Sequence, residues 1–294
     1  MYPEAKIKQR LVVSSLCYLQ MKNCLLSAIA LLGCNALMAQ SFDVNKEATD
    51  INYCERKTIA VGKLKDTKAG EFGEFTSGIM TKISSPRKVV ALTFDACGGP
   101  TGSGFDSALI EFLKKEKIKA TLFISGLWIQ KNDSLFRQLC NEPLFEIENH
   151  GLSHRPCSIT GKSKYGLVGT EDVDDVFDEV ELNARQIEFY NKKKPKFYRP
   201  AAAMADEGCI SVAKELREQI ITYSVLSGDA SLCAEATEIK QNILKKIKPG
   251  AIVIMHMNHP ERNGFEALLE AVPQLRKQGY TFVKLESYPL AGKK

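Results

Sequence analysis

From residue 88 onward the chain alternates short apolar runs with longer stretches of helical periodicity. Residues 88–94 read KVVALTF, an apolar, β-rich run of strand length, and after a glycine loop the helical pattern of 105–117 follows. Such a run, bounded by turn residues, predicts a buried strand leading into a helix. The alternation then recurs. Strands are predicted at 120–124, 145–149, 197–200, 220–225, 251–255 and 280–285, with helices near 135–140, 172–190, 209–216, 239–247 and 265–278. In the longest of these helices Val173, Val176, Phe177, Val180 and Ile187 return at helical spacing. About seven βα units in roughly 200 residues predict an α/β fold, a distorted (β/α) barrel of about seven strands, with the chemistry at the C-terminal ends of the strands.

The flanking regions read differently. Residues 40–85 are polar and weakly periodic, and Gly70, Gly73 and Gly78 interrupt any long element, which predicts an N-terminal linker or cap ahead of a catalytic domain at 86–294. The acidic run 171–181 and the basic run 192–194 read as solvated helix faces and ends. Residues 1–39 form a leader in which Lys22 precedes the apolar run 25–32, long enough for a signal peptide and too short for a membrane span. Two processing patterns compete there. Leu31-Leu32-Gly33-Cys34 resembles a lipoprotein box with a lipid anchor at Cys34, while Leu37-Met38-Ala39 before Gln40 suits ordinary cleavage to a soluble product, periplasmic or secreted.

Charge and cysteine content narrow the class further. The chain carries a formal +5 over 294 residues, and the leader holds four basic residues against one acidic, so the remainder has about +2, too little to indicate nucleic acid or an acidic membrane surface as partner. Three of nine cysteines (Cys17, Cys24, Cys34) lie in the leader. The other six permit disulfides in an exported domain, show no CxxC or other structural-zinc spacing, and leave the pairing open; several free, buried thiols are the alternative.

The four histidines fall in two tight pairs, His150/His154 and His256/His259, each at the end of a predicted strand. Imidazole is a ligand for zinc and other transition metals, and one helical turn would align the HxxxH pair. Asp95 is delivered by the 88–94 strand straight into a glycine-rich turn, where a charge so close to a core needs a partner or a task. It could instead cap the next helix, but the 99–104 loop separates the two. Arg199 and Asp229 mark two more strand ends, each also readable as an ordinary salt-bridge partner.

These segments resemble, in order and approximate spacing, the five motifs of the NodB-type polysaccharide deacetylases of carbohydrate esterase family 4, over roughly residues 86 to 288: Thr93-Phe94-Asp95, Asn149-His150 with Ser153-His154, Arg199-Pro200, Tyr223 through Asp229, and Ile254-Met255-His256. The resemblance implies an exported, metal-dependent hydrolase that removes N-acetyl groups from a carbohydrate polymer, with peptidoglycan amino sugars the leading substrate and chitin-like oligomers next. It implies a divalent ion, most often Zn²⁺, held by His150 and His154, with Asp95 as base, Arg199 its partner, His256 as acid and Asp229 orienting His256. Where the family has a second aspartate as third ligand this chain has Ala96, leaving His259, a nearby carboxylate, Asp95 or waters as candidates. Ala202 and Ala230 replace aromatic residues, which predicts a wider groove with less stacking, while the Ala202 N–H can still serve an oxyanion. The Ala96 departure motivates a rival reading as a catalytically inactive glycan-binding relative; a same-fold hydrolase of small amides or O-acetyl esters is a third. Mass spectrometry of the processed protein is expected to find an N-terminus at Gln40 or an acylated Cys34. An active cytosolic form retaining residues 1–39 would overturn the export reading.

Overall fold

A computed structural model of the chain describes residues 41–292. The leader, its cleavage point and the Cys34 anchor lie outside the described residues. The strands, in chain order, are β1 (Phe72–Gly73), β2 (Met80–Ile83), β3 (Val89–Ala96), β4 (Ala120–Ile124), β5 (Phe145–Asn149), β6 (Phe197–Tyr198), β7 (Ala205–Asp206), β8 (Gln219–Ile220), β9 (Val225–Leu226), β10 (Ala251–His256), β11 (Thr281–Phe282) and β12 (Leu290–Gly292). The main sheet runs β12-β2-β10-β3-β4-β5-β6-β8, with β11 beside β3 and β9 beside β10. From β10 through β8 all neighbours are parallel, whereas β2 meets β10 antiparallel. A bridge between Met80 in β2 and Ile221, just past β8, closes the curl. Seven strands from β2 round to β8 thus make the predicted distorted barrel.

Side-chain alternation sorts each strand between two cores. Val89 and Ala91 of β3 cluster with Phe123, Phe197, Ile221 and Ile252 inside the barrel. Val90, Leu92, Phe94 and Ala96 cluster with Leu109, Leu113, Phe136, Leu268 and Val272 of the surrounding helices. In β4, β10 and most of β3 both phases are apolar, so these strands read as near-continuous hydrophobic runs, whereas β5 alternates Phe145 and Ile147 with the buried carboxylates Glu146 and Glu148. The helices start at capping carboxylates: Asp106 accepts from Leu109 N before the Ser107–Lys115 helix, Asp172 from Asp175 N before Val173–Asn191, and Asp206 from Cys209 N before Glu207–Glu215. Each such cap stabilises by about 1 kcal/mol. Asp95 does not cap the helix after it; Asp106 does.

The stretch expected to be a linker or cap contains the helices Val44–Ala48 and Ile51–Leu64, and then β2 of the main sheet. The second helix buries only Tyr53 and Ala60, against Val176, Phe177 and Val180. Its remaining attachment is ionic, through Arg56 to Glu181 at 3.0 Å and Lys57 to Asp174 and Asp178. So narrow an apolar stripe leaves little periodicity to detect in the sequence. The acidic run is not a solvated face throughout, because Glu181 is buried under Arg56, Arg185 and Lys194, and Glu179 is buried beneath the site. Their partners come from distant segments that no local pattern announces.

Among the described residues Cys157 and Cys209 form a disulfide, 52 positions apart, and Cys54, Cys97, Cys140 and Cys233 are free and at least partly exposed rather than buried. No helix of the described residues is long and apolar enough to cross a membrane. Replacing Cys157 and Cys209 together by Ser is expected to lower unfolding stability by about 4 kcal/mol, the loop-closure value for a loop of this length. Chemical denaturation of oxidised wild type against the variant measures it, and an unchanged midpoint would contradict it.

Candidate active site and metal centre

The C-terminal ends of β3, β5, β6 and β10, with the turn after β9, converge on one cleft of about 600 Å³. Along β3 the period of two puts Asp95 and Cys97 on the cleft side, while Ala96 between them is fully buried in the helix-side core. Position 96 therefore cannot supply a ligand. Cys97 can, and the sequence signal for it was its spacing of two from Asp95, just past the end of a predicted strand. The turn that carries it depends on Gly98 at φ +77°, where an added Cβ would lie 2.5 Å from Trp128 N.

The two motif histidines sit on a loop after β5, not on a helical turn. Asn149 at the end of β5 accepts from Gly151 N at 2.9 Å and from Asn183 Nδ2 at 2.7 Å, and donates to Val180 O and Glu218. Buried Glu179 accepts from Ser153 N and Arg155 N, and burial pushes its carboxyl up to about 7 against the pull of those two N–H groups. Gly151, at φ +80°, runs so close to Glu179 that no side chain fits there. Held at both ends, the loop turns back through His154 at φ 56° and brings the two imidazole centroids within 4.8 Å.

Cys97, His150 and His154 offer three donor atoms all within 4.8 Å of one another. His150 Nδ1 donates to Arg199 O at 2.6 Å, which turns Nε2 toward Cys97 Sγ at 3.8 Å. Usual zinc bond lengths place N and S ligands of a tetrahedral site about 3.6 Å apart, and metal-binding histidines characteristically donate their other N–H to a carbonyl. The residues fit a divalent ion. Burial alone would raise the Cys97 thiol, but the charge on His154 and hydrogen bonds with His150, His154 and His256 hold it well below the ordinary thiol range, toward the thiolate that binds metal. His259, with Nδ1 2.8 Å from Glu261 and its ring 6.5 Å from that of His256, is not among the residues lining the cleft or in the donor cluster.

Two charged pairs flank this cluster. Asp95 Oδ1 accepts from Arg199 Nη1 at 2.7 Å, and the same nitrogen donates to Thr93 Oγ1 at 2.9 Å. Arg199 is fully buried, donates Nη2 to Thr222 O, and lies 4.1 Å from the Phe123 ring centroid. Opposite, Asp229 Oδ1 faces His256 Nδ1 at 3.1 Å and accepts from Ser227 Oγ, while Oδ2 accepts from His256 N at 2.6 Å. Burial opposes protonation of His256, but the Asp229 charge and hydrogen bond carry it well above the ordinary histidine value. Ala202 lines the cleft at φ 55°; its neighbours Ala201 and Ala203 bond Arg155 O and Pro200 O, and its own N–H has no acceptor among the described residues. The wall is not poor in aromatics, since Tyr165 and Tyr223 line it from other segments.

Comparison with known proteins gives the following. Residues 82–221 match the family model described as polysaccharide deacetylase. A peptidoglycan-N-acetylglucosamine deacetylase of Bacillus cereus is 27% identical over 214 residues, 71% of this chain and 92% of the relative. The crystal structure of a peptidoglycan N-acetylglucosamine deacetylase in complex with 4-naphthalen-1-yl-N-oxidanyl-benzamide has a TM-score of 0.62 at 25% identity, covering 74% of this chain and 95% of the other. A carbohydrate esterase family 4 pseudoenzyme from Bacillus anthracis shares the fold, with a TM-score of 0.61 at 23% identity over 80% of each chain.

Elemental analysis can test the donor set. Cys97→Ala and His154→Ala are each expected to lose most bound metal, whereas His259→Ala keeps it; full occupancy in Cys97→Ala would remove the thiol from the centre.

Proposed function

Residues 82–221 belong to the polysaccharide deacetylase family, and on that premise we propose that the protein is an exported, metal-dependent hydrolase of N-acetyl groups on peptidoglycan amino sugars, with chitin-like oligomers as the next substrate class. The observation that carries this reading is the convergence of the Asp95–Arg199 and Asp229–His256 pairs on the Cys97/His150/His154 cluster in one cleft. Cys97, His150 and His154 would hold a divalent ion such as zinc, which would there contribute Lewis-acid polarisation of the acetyl carbonyl and a lowered pKa of water. The chain's own groups do the rest.

Asp95 accepts the proton of the attacking water, with Arg199 fixing its orientation through one carboxylate oxygen and leaving Oδ2 toward the cleft. The N–H of Ala202 donates to the oxyanion as it forms, free to do so because no carbonyl of the protein takes it. An amine is a poor leaving group unless protonated. His256 donates that proton, and Asp229 holds its Nδ1 so that Nε2 remains for substrate. The disulfide supports export, because such bonds persist in oxidising compartments. An inactive glycan-binding relative would not require these groups to meet in one place, and Cys97 answers the missing ligand that motivated that rival.

Asp95→Asn and His256→Ala are expected to slow acetate release from N-acetylated glycans by about 10²–10⁴-fold, the usual contribution of a positioned acid or base. Metal should stay in both variants. With an activated acetyl ester the loss in His256→Ala should shrink, since that leaving group needs little protonation, whereas Asp95→Asn should stay slow. Wild-type rates in both variants would refute the mechanism, and a wild-type protein that binds glycans without releasing acetate would favour the inactive reading.

A further inference from the structure

One charged group in the cleft has no part in the chemistry above. Glu74 lines the cleft with Asp95, Cys97 and the histidines, yet it comes from a strap ahead of β2 and outside the family-matched residues. Several contacts fix the strap. β1 pairs antiparallel with β7, Thr76 Oγ1 donates to Ala205 O at 3.1 Å, and Thr222 Oγ1 donates to Glu74 O at 2.9 Å, beside the carbonyl that receives Arg199. Phe75 packs edge-on against Tyr223 with ring centroids 5.5 Å apart. Burial and a hydrogen bond to the Glu74 carboxylate both raise the Tyr223 phenol.

The charge balance of the cleft follows. Asp95 is matched by Arg199 and Asp229 by His256, but Glu74 meets a phenol and no cation. No lysine or arginine lines the cleft. Lys162 lies over Phe72 and Lys164 over Tyr165, on the loop that also gives Tyr165 and Leu167 to the cleft wall, but neither lysine itself lines the cleft. Apart from the metal that the donor set would hold and His256, which Asp229 pairs, a substrate carboxylate would therefore find Glu74 as a like charge and no lysine or arginine among the residues lining the cleft. In a peptidoglycan strand the two amino sugars differ in this respect: N-acetylmuramic acid bears a lactyl ether on the carbon next to its acetamide, so presenting the acetamide also presents the lactyl carboxyl, and N-acetylglucosamine has only a hydroxyl there.

We propose that Glu74, delivered by the strap at residues 72–76, is a specificity-determining residue that directs the site to uncharged N-acetylglucosamine units and away from N-acetylmuramic acid units with a free carboxylate. The inference rests on the deacetylase reading above.

Peptide-free alternating glycan fragments put both acetamides into one reaction, and mass spectrometry of the products gives the ratio of glucosamine to muramic acid residues formed. Wild type is expected to act mainly on N-acetylglucosamine. Glu74→Gln should shift the ratio toward muramic acid by about tenfold, and Glu74→Lys further, as expected for charges a few ångströms apart near a protein surface. High salt should narrow the difference between wild type and Glu74→Gln. A wild-type preference for N-acetylmuramic acid, or an unchanged ratio in both variants, overturns the assignment while leaving the deacetylase reading intact. No acetate from either sugar, nor from chitotetraose, would bring down that reading and this one with it.

Discussion

A fully buried guanidinium organises the interior of this protein. Arg199 rises from the end of β6 into the barrel and touches four other segments: Asp95 and Thr93 on β3, the carbonyl of Thr222 beyond β8, the Phe123 ring on β4, and, through its own carbonyl, His150. A charge removed from water is tolerable only when its donors are met and an opposite charge is near, and loss of one partner costs about 3–5 kcal/mol. The strands that satisfy Arg199 are the strands whose ends carry the functional groups. Folding the barrel and assembling the site are the same event.

A second layer of buried polar groups does for the histidine loop what Arg199 does for the strands. Asn149, Asn183, Glu179 and Glu218 have no access to substrate, yet they fix the loop backbone from Gly151 to Arg155 and so the direction of both imidazoles. Such networks stabilise only if nearly complete. Here Asn183 Oδ1 and Glu218 Oε1 lack a partner in the protein, and a buried water is the usual remedy at such positions.

What the sequence disclosed and what it withheld divide along physical lines. Most of the parallel strands were legible as apolar runs and β5 by its alternation of Phe145 and Ile147 with Glu146 and Glu148, and the candidate site residues because Asp95, His150, Arg199, Asp229 and His256 each stand at or just beyond a strand end. Cys97 belongs to no motif, yet alternation sends 96 into the helix-side core and 95 and 97 together to the cleft. The Ile51–Leu64 helix escaped because ion pairs hold it, and Glu179 and Glu181 were misread because burial of a carboxylate depends on partners far along the chain. Of the cleft aromatics Tyr223 opens the fourth motif, whereas Tyr165 comes from a segment that no motif marks.

The cysteines pose one further problem if the chain folds, as the proposed export requires, where thiols are oxidised. Cys157, three residues beyond His154, must pair with Cys209, while Cys97 has to stay reduced to serve as a donor. The same chemical group is thus required in two oxidation states within one small region. Geometry does part of the sorting, since Cys157 is fastened by backbone bonds to the segment leading into the Glu207–Glu215 helix and Cys97 is flanked by imidazoles. A metal ion taken up early would do the remainder, acting as a protecting group in the synthetic chemist's sense: it occupies the sulfur lone pairs that an oxidant or a wandering disulfide would otherwise reach. On that reading the order in which metal and oxidant arrive would decide whether Cys97 is kept as a donor or lost to a cross-link.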